Sequence, residues 1–289
     1  AHAAMEPINC IAKVQGKKVE VWCSTQSPSL AKWKAAQIAG VDMDDVTLHV
    51  PLLGGGFGRR LEIDMVEQAV AIAKEMPGTP IKLLWTREED TQHDMYRPAA
   101  LSHFKAALDD KGQVQAWYNK LAAQSVGFDS VKRLLPWAAA DTPDKNQIEG
   151  AFDIPYNFES ISVRQVRPKT HVPVGSWRSV GHSYNAFFTE SFVDELAHAS
   201  KQDPYHFRRN LLDEHPRHRI VLETVTQKAG WDRPLPPGMA RGLALHESFG
   251  SICAQVAEVS IVDGAVKVHR VVCAIDCGIV VNPDTVEAQ

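Results

Sequence analysis

The run Gly54-Gly55-Gly56-Phe57-Gly58 constrains the fold of this chain more than any other feature of its sequence. It follows an apolar stretch with strand character, residues 46–53, and precedes a segment with helical periodicity. Glycine tolerates positive φ and lets a ligand approach the main chain closely. The run therefore predicts a strand-to-helix turn that seats a cofactor, with the N-terminus of the next helix behind it. The alternative is a turn that only packs a helix on a sheet.

The segment after the run is predicted to be a helix. Apolar residues recur at helical spacing from Ile63 to Ala73, and Glu62 and Asp64 fall in the predicted first turn, where the helix dipole favours acidic side chains. The run lacks the Lys-Ser or Lys-Thr pair of a P-loop and does not match the GxGxxG pattern of nicotinamide sites. We therefore expect neither a nucleotide triphosphate nor a nicotinamide at this turn.

Composition predicts a globular domain with a sizeable core. The 289 residues are 44% apolar and 23% charged, and this length corresponds to one large or two modest domains. A formal net charge of -4 gives no basic surface for nucleic acid. No apolar run approaches the roughly 18 residues that span a membrane. We therefore expect neither a nucleic-acid partner nor a membrane span.

The order of predicted elements indicates an α+β fold of mixed sheets with packed helices. Strands are expected at 19–23, 46–53 and 81–85, hairpins at 103–120 around Asp110-Lys111-Gly112 and at 254–274 around Asp263-Gly264, and helices at 185–200 and 205–212. The polar stretch 141–149 is expected to be a loop. Three prolines within 233–238 predict a linker, which separates a first domain, 1–232, from the start of a second, 239–289.

Cysteine and histidine spacing gives no metal site. The five cysteines form no CxxC pair, so we expect reduced, mostly buried thiols and no iron–sulfur cluster in this chain. The twelve histidines show neither HExxH nor a cluster with a carboxylate on one predicted helix face. They are interpreted as solvated or helix-capping side chains.

Several segments together match one family. They are Met5-Glu6-Pro7, Thr25-Gln26-Ser27-Pro28, the glycine run, Trp177-Arg178-Ser179-Val180-Gly181, Phe192 to Ala197, Asp276-Cys277-Gly278 and Val281-Asn282-Pro283. In this order they resemble the molybdenum-binding large subunit of the molybdenum hydroxylases, the xanthine dehydrogenase and aldehyde oxidoreductase family. Within it, the chain is most similar to subunits of the isoquinoline 1-oxidoreductase type. The resemblance implies a molybdopterin-binding fold, and it runs from Ala1 to Gln289.

The resemblance also implies roles for individual residues. Gln26 is similar to the glutamine whose amide donates to an oxo ligand of molybdenum, a task for a neutral donor; otherwise it is a polar turn residue. Phe57-Gly58 matches the segment over the metal, where a main-chain N–H reaches an oxo group, and Gly55 and Gly56 are assigned with it to cofactor binding. Arg178 matches an arginine that holds the anionic cofactor and is assigned to catalysis with Gln26; otherwise it is a surface charge. Gln289 matches a residue at the cofactor's phosphate end. No side chain ligates the metal.

Substrate selection is expected to differ from that of purine-oxidising members. Leu61 stands where those members carry a glutamate. With Trp177 and Val180 it suggests an apolar pocket for an aldehyde or an aromatic N-heterocycle. The alternative is that all three are ordinary core residues.

Partners follow from what the sequence lacks. The family's base is a glutamate in a Gly-x-Gly-Glu string, and no such string occurs in residues 1–289. We expect this chain to be an incomplete part of the large subunit, inactive alone, with the glutamate in the remaining C-terminal part. The resemblance further implies a small 2Fe–2S subunit as electron acceptor and molybdopterin cytosine dinucleotide as cofactor.

The implied reaction is hydroxylation of an aldehyde or N-heteroaromatic carbon with oxygen from water, in a bacterial protein of the periplasm or the cytoplasm. Two alternatives remain: a catalytically silent scaffold without cofactor, and an oxidoreductase domain that binds a different dinucleotide at the glycine run.

Overall fold

A computed structural model describes residues 1–289, and the chain divides into two compact units. The first unit comprises residues 1–99, 124–144 and 169–180, and the second comprises 100–123, 145–168 and 181–289. Both units combine sheets with helices, which confirms the predicted α+β class. None of the helices has the length and apolar character needed to cross a bilayer.

The first unit is built on a four-stranded sheet in the order β3-β2-β1-β4. Its strands are β1 (Asn9–Gln15), β2 (Lys18–Trp22), β3 (Val46–His49) and β4 (Ile81–Leu84). Strand β1 pairs antiparallel with β2 and β4, and β3 runs parallel to β2. The helices are α1 (Pro28–Ala39), α2 (Asp64–Glu75), α3 (Arg87–Gln92) and α4 (Val126–Leu134).

Helix α2 follows the predicted periodicity and forms part of the core of the first unit. Its buried face consists of Met65, Val66, Ala69, Val70 and Ala73. Helix α1 contributes the buried alanines at 31, 35 and 36, whose small side chains allow the two helices to approach closely. Each large apolar side chain that becomes fully buried contributes roughly 1.5–3 kcal/mol.

The apolar stretch before the glycine run is a shorter strand than predicted. Strand β3 ends at His49, and residues 50–53 are exposed and irregular. Pro51 has no N–H to donate to a strand ladder, which explains why pairing stops there. The glycine run therefore follows an irregular segment of four residues.

The helix does not begin directly behind the glycine run. A short 3-10 turn, Arg59–Leu61, follows Gly58, and α2 begins only at Asp64. Glu62, predicted in the first helical turn, is extended and buried, and it accepts a hydrogen bond from Arg133 Nε at 3.2 Å. The glycine run thus has no helix N-terminus immediately after it, so any ligand there depends on the loop's own main chain.

The second unit contains two three-stranded sheets. One has the order β5-β6-β7, with β5 (Ala100–Leu108), β6 (Val114–Ala123) and β7 (Ser160–Val166). The other has the order β10-β9-β8, with β8 (Met239–Ser248), β9 (Ser251–Val262) and β10 (Ala265–Asp276). The antiparallel pairs β5–β6 and β9–β10 confirm both predicted hairpins.

Five helices belong to the second unit. They are α5 (Lys145–Ile148), α6 (His182–Ala199), α7 (Pro204–Asn210), α8 (Pro216–Ala229) and α9 (Pro283–Ala288). Helices α6 and α7 confirm the helices predicted at 185–200 and 205–212. Helix α5 occupies part of the stretch 141–149, which was expected to be a loop. The predicted linker, residues 233–238, connects α8 to β8 within this unit. The boundary between domains 1–232 and 239–289 remains a prediction.

The core of the second unit surrounds one buried ion pair. Trp117 stacks on Phe158 with ring centroids 4.9 Å apart, and β8, β9, α6 and α8 supply aliphatic side chains. Arg208, fully buried, donates from Nε to Glu190 at 2.9 Å. The Tyr156 hydroxyl donates to the same carboxylate at 2.7 Å, so the buried charge is satisfied on several sides.

The cysteines are less buried than predicted, although all five are free thiols. Cys10 and Cys23 are buried in the first sheet, whereas Cys253 and Cys277 are half-buried and Cys273 is exposed. The expectation of mostly buried thiols is wrong because β10 and the residues after it are largely exposed.

Candidate functional site

The glycine run forms a loop whose carbonyl groups are all used and whose central N–H groups are not. The five carbonyls of residues 54–58 accept hydrogen bonds from, in order, Glu6 N, Arg60 Nε, Arg59 N, Arg178 N and Leu61 N. The N–H groups of Gly54 and Gly58 donate to side chains. Those of Gly55, Gly56 and Phe57 have no partner within the chain, although Gly56 is buried. Consecutive main-chain donors of this kind form an anion-binding concavity.

Arg60 holds the glycine loop in place through hydrogen bonds from its buried guanidinium. Its side chain is fully buried and donates to the carbonyls of Gly55 at 3.0 Å, Ser24 at 3.1 Å and Glu6 at 3.1 Å. It also donates to the Glu6 carboxylate at 2.8 Å. A planar guanidinium with five donors can hold several segments at once. Arg60 thereby joins the segment around Glu6 and the segment before Gln26 to the glycine loop.

Gln26 lies against the glycine loop with its amide oriented. Its Oε1 accepts a hydrogen bond from Gly58 N at 3.1 Å, and its own N–H donates to Arg60 O at 2.9 Å. The residue is exposed. Because the oxygen of the amide is engaged by the loop, the Nε2 group remains as the outward donor.

The segment 175–180 packs directly on the loop. Arg178 N donates to Phe57 O at 2.9 Å, and the Arg178 guanidinium lies 5.9 Å from the centroid of the Phe57 ring. A Cβ atom added to Gly58 would lie 2.0 Å from Ser176 O, a distance that real Cβ atoms do not adopt. Only glycine at position 58 allows this approach.

Arg97 holds the turn that follows. Its guanidinium lies 4.8 Å from the centroid of the Trp177 ring, and it donates to Arg178 O at 3.1 Å and to Val180 O at 3.4 Å. Ser179 and Val180 have positive φ, at 68° and 41°. A β-branched residue in this region is strained, and such strain persists only where neighbouring contacts enforce it.

His2 and Asp94 form a buried pair beneath the same turn. His2 Nδ1 lies 2.7 Å from Asp94 Oδ1, and Nε2 lies 3.0 Å from Ser176 O. The His2 ring also packs on the Trp177 ring, with centroids 4.7 Å apart. Burial by itself would raise the pKa of Asp94, but hydrogen bonds from the ring and main chain of His2 lower it.

The contacts above bring together most of the residues that the sequence analysis selected. Gln26, the glycine loop and the Trp177-Arg178 pair form one hydrogen-bonded group in the first unit. Leu61 joins this group through its N–H, which donates to Gly58 O at 3.1 Å, while the residue itself is 37% exposed. Gln289 belongs to the second unit, where it ends α9.

Sequence reasoning missed the residues that hold this group in place. His2, Arg60, Arg97 and Asp94 lie in none of the motifs that the sequence analysis identified. The one available signal was the placement of Arg59-Arg60 directly after a ligand-binding type of loop, a position where two adjacent charges need partners.

The histidines correct a second expectation. His2, His182 and His218 are buried rather than solvated. His182 Nδ1 lies 3.0 Å from His246 Nε2, and His218 Nε2 lies 2.9 Å from a carboxylate oxygen of Glu247. No group of three or more histidine, cysteine, aspartate or glutamate side chains is arranged to hold a metal ion.

Comparison with known proteins identifies the family. The sequence model of the molybdopterin cofactor-binding domain matches residues 1–212, well over half of the chain. The chain belongs to this family. The resemblance to the large subunit of the xanthine dehydrogenase and aldehyde oxidoreductase family, inferred from the ordered motifs, is thereby confirmed.

Two curated relatives align along essentially the whole chain. The isoquinoline 1-oxidoreductase subunit beta of Brevundimonas diminuta is 34% identical, over 99% of this chain and 37% of that protein. A membrane-bound aldehyde dehydrogenase of Gluconacetobacter polyoxogenes, whose name includes pyrroloquinoline-quinone, is 30% identical over 100% of this chain and 40% of that protein. The chain therefore spans about two fifths of the length of these relatives.

A solved structure shares the fold. Quinoline 2-oxidoreductase from Pseudomonas putida 86 superimposes with a TM-score of 0.69 at 17% identity, over 88% of this chain and 34% of that one. This likeness confirms the predicted fold type.

The residues of the first unit fit a molybdopterin cofactor. Such a cofactor is anionic, and the loop presents three consecutive unpartnered N–H groups, one of them on a buried glycine. A Cβ atom at Gly56 would lie 2.6 Å from Gln26 Oε1, so a side chain there would displace the oriented amide. The guanidinium of Arg178 adds a permanent positive charge beside the loop.

Proposed function

We propose that this chain forms the molybdenum-cofactor-binding part of an oxidoreductase that hydroxylates an aldehyde or N-heteroaromatic carbon. The observation that carries the proposal is the loop 54–58, which keeps three main-chain donors unpaired while every one of its carbonyls is engaged. A loop that served only to pack a helix on a sheet would have no reason to leave a buried N–H without a partner.

The bound cofactor supplies the transfer of oxygen from water to a substrate carbon and accepts two electrons. The chain's own residues bind and orient it. Gln26 Nε2 is proposed as the neutral donor to an oxo group, because Gly58 N fixes the opposite end of the amide. A donor that is already oriented loses little entropy when it engages its partner.

The remaining cofactor contacts are assigned to the loop and to Arg178. The N–H groups of Gly55, Gly56 and Phe57 are proposed to bind the anionic face of the cofactor, with Gly58 providing the close approach of the 176–178 segment. The Arg178 main chain is fixed by Phe57 O, so its guanidinium is anchored beside the loop. Gln289 is proposed for the phosphate end of the cofactor.

The substrate pocket is proposed to include Leu61, Trp177 and Val180. Leu61 keeps more than a third of its surface exposed, and Trp177 is half-buried, so both retain surface for an apolar ligand. The names of the two relatives indicate isoquinoline and aldehyde substrates for those proteins. An aromatic N-heterocycle or an aldehyde is therefore the proposed substrate class.

The proposal includes partners outside residues 1–289. The general base is assigned to the glutamate of a Gly-x-Gly-Glu string in a further part of the large subunit, and electrons are proposed to pass to a 2Fe–2S subunit. The cofactor is proposed to be the cytosine dinucleotide form, and the protein to be bacterial, in the periplasm or the cytoplasm. On this proposal residues 1–289 alone do not turn over substrate.

The test begins with molybdenum per mole in the full-length gene product, co-expressed with the iron–sulfur subunit in a host that makes the cytosine dinucleotide. Near-stoichiometric metal is expected. A correctly assembled complex without molybdenum would refute the proposal and favour the scaffold alternative, and a nicotinamide or flavin titration would then test the glycine loop for another dinucleotide.

A substitution then tests the role of Gln26. Gln26→Ala is expected to lower kcat at least about 100-fold while molybdenum content stays near that of the wild type, because the proposed bond forms at the reacting centre. Gln37→Ala, an exposed glutamine on α1, is the matched control and is expected to be silent. Full activity in Gln26→Ala would exclude the role.

A further inference from the structure

The buried pair of His2 and Asp94 has a hydrogen-bonding pattern that fixes the position of the ring. Ser176 O is a carbonyl and can only accept, so Nε2 must donate to it. The other ring nitrogen, Nδ1, lies 2.7 Å from Asp94 Oδ1. The ring is therefore hydrogen-bonded at both nitrogens, to the main chain on one side and to Asp94 on the other.

Asp94 is itself firmly held. Its Oδ1 accepts from Met95 N at 2.8 Å, and the buried Arg59 guanidinium lies 3.4 Å away. The main-chain N–H of His2 donates to the other carboxylate oxygen of Asp94, Oδ2. Both the Asp94 carboxylate and the His2 main chain are thus held by other contacts, and together they fix the position of the His2 ring.

The His2 ring in turn contacts two residues of the segment that packs on the glycine loop, Ser176 and Trp177. The Ser176 carbonyl that Nε2 holds is the atom that would lie 2.0 Å from a Cβ at position 58. The next residue, Trp177, packs its indole on the His2 ring and lies 4.8 Å from the Arg97 guanidinium. The Arg97 cation against the indole is stabilising, and the contacts with Arg97 and with the His2 ring together restrict the orientation of the indole.

We propose that His2 is a positioning residue of the site: clamped by Asp94, it sets the place of Ser176 and the orientation of Trp177 against the glycine loop. Arg97 donates to the carbonyls of residues 178 and 180, and His2 Nε2 donates to the carbonyl of residue 176. The two side chains therefore hold different parts of the same turn. The glycine loop itself is fixed separately by Arg60, and loss of His2 therefore leaves the loop's donors in place.

The test is hydrogen–deuterium exchange of the full-length protein, purified with its partner subunits. In His2→Ala, the amides of Arg178 and Val180, which donate to Phe57 O and Trp177 O, are expected to exchange about tenfold faster, since the turn loses the hydrogen bond from His2 Nε2 to Ser176 O. Asp94→Asn is a second variant, expected to shift exchange in the same direction by a smaller factor. His171→Ala, an exposed histidine of the same segment, is the control and is expected to leave exchange unchanged.

A kinetic measurement follows on the same proteins. This part rests on the proposed function, because Trp177 is placed in the substrate pocket. His2→Ala is expected to raise KM about tenfold, with molybdenum content unchanged, since the altered residue contacts neither cofactor nor substrate.

The possible outcomes distinguish the proposed role of His2 from the proposed function of the chain. Exchange in both His2→Ala and Asp94→Asn that matches the His171→Ala control would overturn the clamp, whatever the activity. Faster exchange with unchanged KM and kcat would overturn the positioning role. Absence of molybdenum from the wild-type protein would refute the proposed function, while the exchange data would still decide whether the clamp exists.

Discussion

Replacing Gly58 by alanine tests how tightly the glycine loop and the 176–178 segment are packed. The new Cβ would lie 2.0 Å from Ser176 O and 2.6 Å from Ser176 C, where at least 3.0 Å is needed. The neighbouring atoms are main chain and cannot rotate away. The two segments must therefore separate by about 1 Å, which weakens the bond from Arg178 N to Phe57 O.

The expected cost combines two contributions. Gly58 has φ of 104°, and a residue with a Cβ there costs roughly 1–2 kcal/mol. Displacing the segment and losing a buried hydrogen bond adds about 1–3 kcal/mol. The total is about 2–5 kcal/mol of the free energy of unfolding.

Gly78→Ala separates the two contributions. Gly78 has a φ of 82°, and a Cβ there would meet nothing within 4 Å, so only the backbone term of about 1–2 kcal/mol applies. Denaturant unfolding of the full-length protein measures both variants, and metal analysis measures the molybdenum that each retains. Gly58→Ala is expected to lose stability and molybdenum, and Gly78→Ala to keep its molybdenum. Equal stability loss in the two variants, with full molybdenum in Gly58→Ala, would refute the close approach.

Two further substitutions test the scaffold. Arg60→Met removes the donor to the carbonyls of residues 6, 24 and 55 and one of the donors to the Glu6 carboxylate, which also accepts from Gly54 N. We expect a loss of about 3–5 kcal/mol in denaturant unfolding, and a loss below about 1 kcal/mol would contradict the role of Arg60 in holding these segments together. Burial, followed by the charge of His182, lowers the pKa of His246 to about 4, below the ordinary 6.5. The unfolded state therefore binds the proton first, and stability should fall by up to about 3 kcal/mol as the pH drops from 6.5 to 4. In His246→Gln this decline should be smaller, as unfolding at pH 7 and 4.5 would show; an unchanged decline would exclude His246 as its source.

The sequence pattern alone predicted the elements whose signal is local, either a regular spacing of apolar residues or a turn dipeptide. Helix α2 followed the spacing of Val66 and Val70, and the β9–β10 hairpin followed Asp263-Gly264, because these signals depend on neighbours in sequence. The end of β3 at His49 could also have been anticipated from Pro51, since a proline cannot donate to the ladder. The cysteines on and after β10 were misjudged because exposure of a strand face depends on tertiary packing.

The candidate site was predictable only in part, for a different reason. Gly58 and Gln26 stood out because their chemistry is local and matches family motifs. Arg60 and Asp94 act through partners tens of residues away in sequence: Arg60 reaches Glu6, and Asp94 reaches His2. No periodicity or spacing encodes such pairs, since a buried charge reveals its partner only once the chain is folded.

These buried charges also explain how the loop can keep its donors free. A main-chain N–H without a partner in a buried position raises the free energy of the folded state, so a flexible loop would turn such groups toward water or toward its own carbonyls. Here Arg60 and the N–H of Arg178 occupy the carbonyls of Gly55 and Phe57, which removes those internal acceptors. The loop is thus held in a conformation that an anionic ligand stabilises, and by mass action binding of that ligand stabilises the folded unit in turn. The scaffold residues and the binding residues are therefore coupled energetically, although only the latter are proposed to touch the cofactor.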